Sequence, residues 1–184
     1  MLDSLYAGSL ADAATRQELV SIQEVERLAL ATAPALNALQ FLAPANHIKV
    51  LAEVKRASPS KGDMAEIADP AGLAQIYADN GASAISVLTE QRKFKGSLDD
   101  LRAVRARVSV PLLRKDFIAN EYQILEARAA GADIVLLIVA GLDQAELVRL
   151  KDFAEQLGMT AFIETHDRDE VLRALDTGAK FIGV

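Results

Sequence analysis

Cysteine and tryptophan are both absent from the 184 residues. Without cysteine there is no disulfide framework, no Cys-based zinc site and no thiol nucleophile. Aromatic residues make up only 5% of the chain, so the core must be built from Ala, Leu, Ile and Val. That mixture suits helices packed on strands of branched residues. Positive charge is in deficit, with 20 Lys and Arg against 26 Asp and Glu, a formal net charge of −6. The overall field therefore repels nucleic acid and anionic membranes, and any anionic ligand has to be drawn in by local lysines. Long apolar runs are missing too. The longest, Ile134 to Leu142, falls far short of the ~20 residues that span a bilayer. Nothing near Met1 reads as a secretory or transit signal, which is compatible with a reducing cytoplasm.

What is present is ordinary globular composition, 51% hydrophobic and 25% charged. From Leu2 to about Phe41, apolar residues recur at steps of three and four among Ala, Glu, Gln and Arg, the pattern of amphipathic helices. Pro34 and Pro44 interrupt them, and residues 43–46 look like a connection to something new. After His47 short branched runs alternate with longer helical ones. Strands are expected at Ile48–Val54, Ala84–Leu88, Pro111–Leu113, Ile134–Ile138, Ala161–Glu164 and Phe181–Val184. Helices are expected near Pro70–Asn80, Leu98–Arg107, Glu121–Ala130, Asp143–Gln156 and Arg168–Asp176. Such alternation, with near-continuous apolar strands, indicates a parallel sheet covered by helices. The expected division is a helical extension over residues 1–47 and an α/β body over 48–184.

Gly81, Gly131 and Gly178 each precede an Ala at the end of an expected helix, and Gly158 sits similarly. A glycine just past a helix accepts the left-handed backbone that turns the chain back to the sheet. Residues 48–184 hold six expected strands, roughly 25 residues per strand–helix unit, the pace of an eight-unit (β/α)8 TIM barrel of about 250 residues. The expectation is an incomplete barrel containing strands 1 to about 6. An open doubly wound sheet would also alternate, but its G-x-G-x-x-G loop is missing after the first strand, where Lys55-Arg56-Ala57-Ser58-Pro59-Ser60-Lys61-Gly62 stands instead.

Charged residues at strand ends carry the chemical signal. Strand alternation puts Leu51, Glu53 and Lys55 on one face, and Leu113, Lys115 and Phe117 on one face of the third strand. In a barrel the carboxyl ends of the strands form the mouth where active sites gather. Neighbouring lysines lower the cost of deprotonation, which suits proton transfer. Glu164, at the end of the fifth strand, supplies a carboxylate that could act as a base. Each has a plainer alternative: a structural Glu53–Lys55 pair, a solvated strand-end lysine, a glutamate capping the next helix. His166 lies two residues past the strand end and reads as a solvated loop histidine. The loops Ser58–Gly62 and Arg92–Ser97 offer hydroxyls, cations and a ring near the mouth, but such residues are also ordinary turn and surface residues.

In order and spacing, several segments resemble the indole-3-glycerol-phosphate synthase family: Ala52-Glu53-Val54-Lys55-Arg56-Ala57-Ser58-Pro59-Ser60-Lys61-Gly62, Ser86-Val87-Leu88-Thr89-Glu90, Phe94 with Gly96-Ser97, Leu113-Arg114-Lys115-Asp116-Phe117, Leu136-Leu137-Ile138 and Ile163-Glu164. The resemblance covers nearly the whole chain. It implies a cofactor- and metal-free lyase of tryptophan biosynthesis. Its phosphorylated small-molecule substrate, carboxyphenylamino-deoxyribulose phosphate, undergoes ring closure, loss of carbon dioxide and dehydration. By resemblance Lys115 is the general acid that protonates the ketone during ring closure, and Lys55 grips the substrate carboxylate, with a proton donation in dehydration also open to it. Glu164 is the base of the later step, and Glu53 orients the lysines and stabilises the developing cation. Phe94, Phe117 and Leu136 line the pocket for the anthranilate ring, and Ser58 lies near the phosphate.

The resemblance also marks a departure. In the family the strand ending in Val184 continues into an Asn-x-Arg segment, followed by two more strand–helix units that carry a phosphate loop. The expectation is that the chain by itself is inactive or nearly so. Three rivals remain: another phosphate-binding barrel enzyme of the same pathway, a non-catalytic fragment that pairs with a complementary piece, and a nucleic-acid binder. The Arg-Lys-Asp-Phe segment disfavours the first and the acidic balance the last.

Overall fold

The computed structural model describes residues 2–184. Three helices come first: α1 (Leu2–Leu19), α2 (Ile22–Ala31) and the short α3 (Ala38–Phe41). The first break lies earlier than the prolines indicate. Ser21 caps α2 by accepting the Glu24 N–H at 3.2 Å, so a serine placed to serve as an N-cap ends the preceding helix.

The body alternates strand and helix: β1 (Leu51–Val54), α4 (Pro70–Asp79), β4 (Ala84–Leu88), α5 (Leu98–Arg105), β5 (Leu112–Lys115), α6 (Glu121–Ala129), β6 (Ile134–Ile138), α7 (Gln144–Gln156), β7 (Thr160–Glu164), α8 (Arg168–Asp176) and β8 (Ile182–Gly183). A 3-10 turn, Val139–Gly141, follows β6. Six strands form one sheet in the order β1-β4-β5-β6-β7-β8, with every pairing parallel. This is a curled, incomplete TIM barrel. β1 starts three residues later than expected, and β5 runs on through Arg114 and Lys115 because both residues continue the ladder to β4. The Ser58–Gly62 stretch, expected as a loop, instead lies in a small antiparallel hairpin, β2 (Ala57–Ser58) with β3 (Gly62–Asp63). Gly62, with φ +63, provides the left-handed position that this tight turn requires.

Local signals and topology agree. α4, α5, α6, α7 and α8 open on Asp69, Ser97, Asn120, Asp143 and Asp167, each side chain accepting a backbone N–H three residues on. Four helices close on glycines of positive φ: Gly81, Gly131, Gly158 and Gly178. A capped start and a left-handed stop set each helix length, which keeps the helices antiparallel to the strands.

The alternating faces of the strands then separate packing from chemistry. Ile85, Val87, Leu112, Val135, Leu137 and Ile163 are fully buried under the outer helices, against Leu101, Val104, Ile124, Leu147 and Leu150. Fully burying each such side chain contributes about 1.5–3 kcal/mol. Arg114 also points outward, and it is completely buried. Its guanidinium donates to Thr89 Oγ1 (3.0 Å), the Gln123 carbonyl (2.6 Å) and Asp116 (3.0 Å), with Glu126 at 3.3 Å. Asp116 also accepts from Ser9 Oγ (2.9 Å), Thr89 Oγ1 (2.6 Å) and the Phe117 N–H (2.8 Å). Through Ser9 this network joins α1 to the strand that carries Lys115, and Arg16 on α1 extends it to Glu126 at 2.5 Å. Among the described residues no helix is long and apolar enough to cross a membrane.

Candidate active site

The ladder register assembles the inner face. Glu53 lies beside Ser86, and Leu88 lies beside Lys115, so the charged residues at successive strand ends share one side of the sheet. Lys115 Nζ donates to Glu164 Oε2 at 3.3 Å across the strand between them, β6. Lys115, Glu164, Phe94, Phe117 and Leu136 line one cavity of about 160 Å³, together with Leu88, Asp116 and Ile138. Phe94 and Phe117 meet with ring centroids 6.0 Å apart, and Tyr6 of α1 packs edge-on against Phe117 at 5.6 Å. Burial pushes the Tyr6 hydroxyl well above its ordinary value, and it lies 3.5 Å from the Ile138 carbonyl. A cation and a carboxylate thus face a small apolar slot between aromatic rings.

Glu53 and Lys55 are brought together, but beside this cavity. Lys55 Nζ lies 2.6 Å from Glu53 Oε1, and Glu53 Oε2 accepts from Ser86 Oγ at 3.1 Å. Both line an adjoining cleft of about 640 Å³ along β1, bordered by residues 65–69 and by α4. Ser58 belongs to neither cavity. It sits half-buried in the hairpin, paired in register with Gly62. Next to the hairpin Arg56 spans Asp100, at 2.5 and 3.1 Å, and the Ile67 carbonyl at 3.0 Å.

Other residues were given no role at the site by sequence reasoning. His166 is more than half exposed, as a loop histidine should be, yet its Nε2 lies 3.4 Å from Glu164 Oε1 and its Nδ1 lies 3.2 Å from Glu170. Glu90 is almost wholly buried, and its carboxylate accepts three successive backbone N–H groups of the loop that carries Phe94. Tyr6 gave no sequence signal that separates it from packing residues, and Asp116 stood only as part of a family-like segment. Among the described residues no group of three or more His, Cys, Asp and Glu is gathered for a metal ion.

A parallel barrel sheet with lysines and glutamates converging at the carboxyl ends of its strands defines a TIM-barrel enzyme site. Residues 2–184 match the model of one family, described as indole-3-glycerol phosphate synthase. The chain is 60% identical, over all 184 residues, to the indole-3-glycerol phosphate synthase of Leifsonia xyli subsp. xyli, and spans 71% of that protein. It is 57% identical to the synthase of that name from Mycolicibacterium smegmatis and 56% identical to that from Mycobacterium avium, spanning 67% of each. The chain belongs to the indole-3-glycerol phosphate synthase family, whose members are carboxy-lyases of tryptophan biosynthesis.

Proposed function

We propose that these residues form the ring-closing half of an indole-3-glycerol-phosphate synthase site acting on 1-(2-carboxyphenylamino)-1-deoxyribulose 5-phosphate in the cytoplasm. The observation that carries the reading is the Lys115–Glu164 pair at 3.3 Å inside a slot lined by Phe94, Phe117 and Leu136. The aryl ring of the substrate sits among these apolar side chains, which places the ketone oxygen within reach of the Lys115 ammonium. Electron push from the ring nitrogen closes the new ring as Lys115 delivers its proton. Carbon dioxide then leaves, restoring the aromatic system; in the dehydration Lys55 gives a proton to the hydroxyl, which departs as water, while Glu164 takes the proton from the neighbouring carbon as the new double bond forms. Lys55, held by Glu53, meets the carboxylate from the adjoining cleft, and Ser58 lies toward the phosphate. Lysine suits such proton delivery because, unlike arginine, it can shed its charge. Residues 48–184 carry this chemistry, and residues 1–47 buttress it through Ser9, Tyr6 and Arg16.

β1 and β8 are the two edges of the sheet, each paired on one side only. In barrels of this class the loops after the last two strands commonly hold the phosphate. A polypeptide of these 184 residues is therefore expected to give little or no indole glycerol phosphate. The same residues joined to the remaining segment of the Leifsonia xyli relative should give it readily, measured by the fluorescence of the indole product. If the joined protein is inert while the intact relative turns over, the assignment of this site fails. Turnover by the 184 residues at the rate of the intact relative would overturn the need for the further strands.

A further inference from the structure

Glu90 follows β4, is 3% exposed, and takes part in no ion pair among the described residues. Arg92 feels its charge from farther off, but a buried carboxylate with no cation in direct contact must be compensated largely by hydrogen bonds. Here the loop it introduces compensates it. Oε1 accepts the Arg92 N–H at 3.1 Å, and Oε2 accepts the N–H groups of Lys93 (2.7 Å) and Phe94 (2.9 Å). The Glu90 carbonyl closes the same loop by accepting the Gly96 N–H at 2.9 Å. Gly96 passes so near the Leu88 carbonyl that a Cβ there would collide with backbone, and Lys95 holds a left-handed φ of 55. Around this centre Gln91, Arg92, Lys93 and Lys95 are all exposed, and only the Phe94 ring turns inward to the slot. The arrangement is an anion nest of consecutive amides, occupied by the chain's own side chain instead of a ligand.

We infer that Glu90 is a positioning residue that holds Phe94 in place before substrate arrives, so that the loop is a prebuilt wall of the aryl pocket. The inference deepens the proposed function and rests on its placing of the aryl ring against Phe94. Preorganisation matters because ordering a loop at the moment of binding would be subtracted from affinity. Glutamine at this position keeps one acceptor oxygen but turns an NH2 group toward amides that also donate, so at least one of the three bonds is lost.

The absence of tryptophan makes a local reporter simple: Phe94→Trp places the only indole of the chain in the slot. In that background the reporter should be shielded from acrylamide and rotationally fixed. Adding Glu90→Gln should raise quenching toward that of free tryptophan and lower anisotropy, with far-ultraviolet circular dichroism unchanged. Unaltered quenching and anisotropy would overturn the role of Glu90. In the joined protein Glu90→Gln should raise KM roughly tenfold, about what one hydrogen bond to a charged group is worth, with a smaller effect on kcat. If Glu90 acts through Phe94, adding Phe94→Ala removes that effect, so the double variant is no worse than Phe94→Ala alone. Additive losses would also overturn the role. A Phe94→Ala variant with unchanged KM would instead sink the proposed aryl site, and the fluorescence result would still decide the anchoring.

Discussion

Lys115→Met in the completed barrel is expected to lower kcat by about a hundred- to ten-thousand-fold, the range that a positioned general acid supplies. Methionine keeps the length of the side chain and its apolar stem but brings no proton. The ion pair with Glu164 is partly open to solvent, and such pairs are worth roughly 1 kcal/mol or less, so the variant should remain folded. Lys115→Arg separates charge from proton delivery. It restores a cation beside Glu164 but, because a guanidinium does not shed its charge, no proton for the ketone, and should recover little of the loss. Steady-state kinetics together with a thermal melt check both statements. A Lys115→Met enzyme with near-normal kcat would remove Lys115 from the chemistry.

The second large effect concerns stability. Asp116→Ala takes from the fully buried Arg114 guanidinium the nearer of its two carboxylates, bonded at 3.0 Å, and leaves only Glu126 at 3.3 Å, which Arg16 shares. Removing one member of a buried ion pair costs about 3–5 kcal/mol. For a chain of this size that corresponds to a fall in Tm of roughly 6–20 °C. The carboxylate also carries a pH signature. Burial alone would push Asp116 up, but Arg114 and the hydrogen bonds from Thr89, Ser9 and the Phe117 amide outweigh it and hold the group below its ordinary value. A lowered folded-state value means that the ionised form is favoured by folding. Its contribution is therefore complete above the unfolded value of about 3.9, and is lost as pH falls through the lower folded one. Denaturant unfolding at pH 7 and at successively lower pH should show Asp116→Asn less stable at neutrality, with the gap narrowing in acid. A gap independent of pH would mean that the group is not charged in the folded protein.

Much of this was legible in the residues because strand–helix alternation, caps and closing glycines are local signals. The Gly131 and Gly158 stops each depend on neighbours within a few residues, and the structure keeps both; Asp143, expected as the first residue of its helix, turns out to cap it. Strand parity likewise read Lys115 and Phe117 correctly as neighbours, since both line the same slot. What could not be read lay in long-range geometry. Nothing near Ser9 in the chain announces that its hydroxyl meets Asp116, 107 positions away. Arg114 stood in a family-like segment with no role read for it, and strand alternation sends it outward into the helix layer. The Ser58–Gly62 stretch looked like an open binding loop, whereas Gly62 folds it into a hairpin. Lys55 and Glu53 were placed on the inner face, but the curl of the sheet decides which cavity they border, and they border the cleft beside the slot.

The two halves of the Lys115–Glu164 pair are proposed to act in succession, the lysine before carbon dioxide leaves and the glutamate after it. A single turnover with substrate labelled in its carboxylate, run on the completed barrel, separates these roles by following labelled carbon dioxide and indole fluorescence together. Lys115→Met should release neither, and Glu164→Gln should release close to one equivalent of carbon dioxide per site without forming indole. Equal suppression of carbon dioxide by both substitutions would contradict the assignment of the two side chains to separate steps.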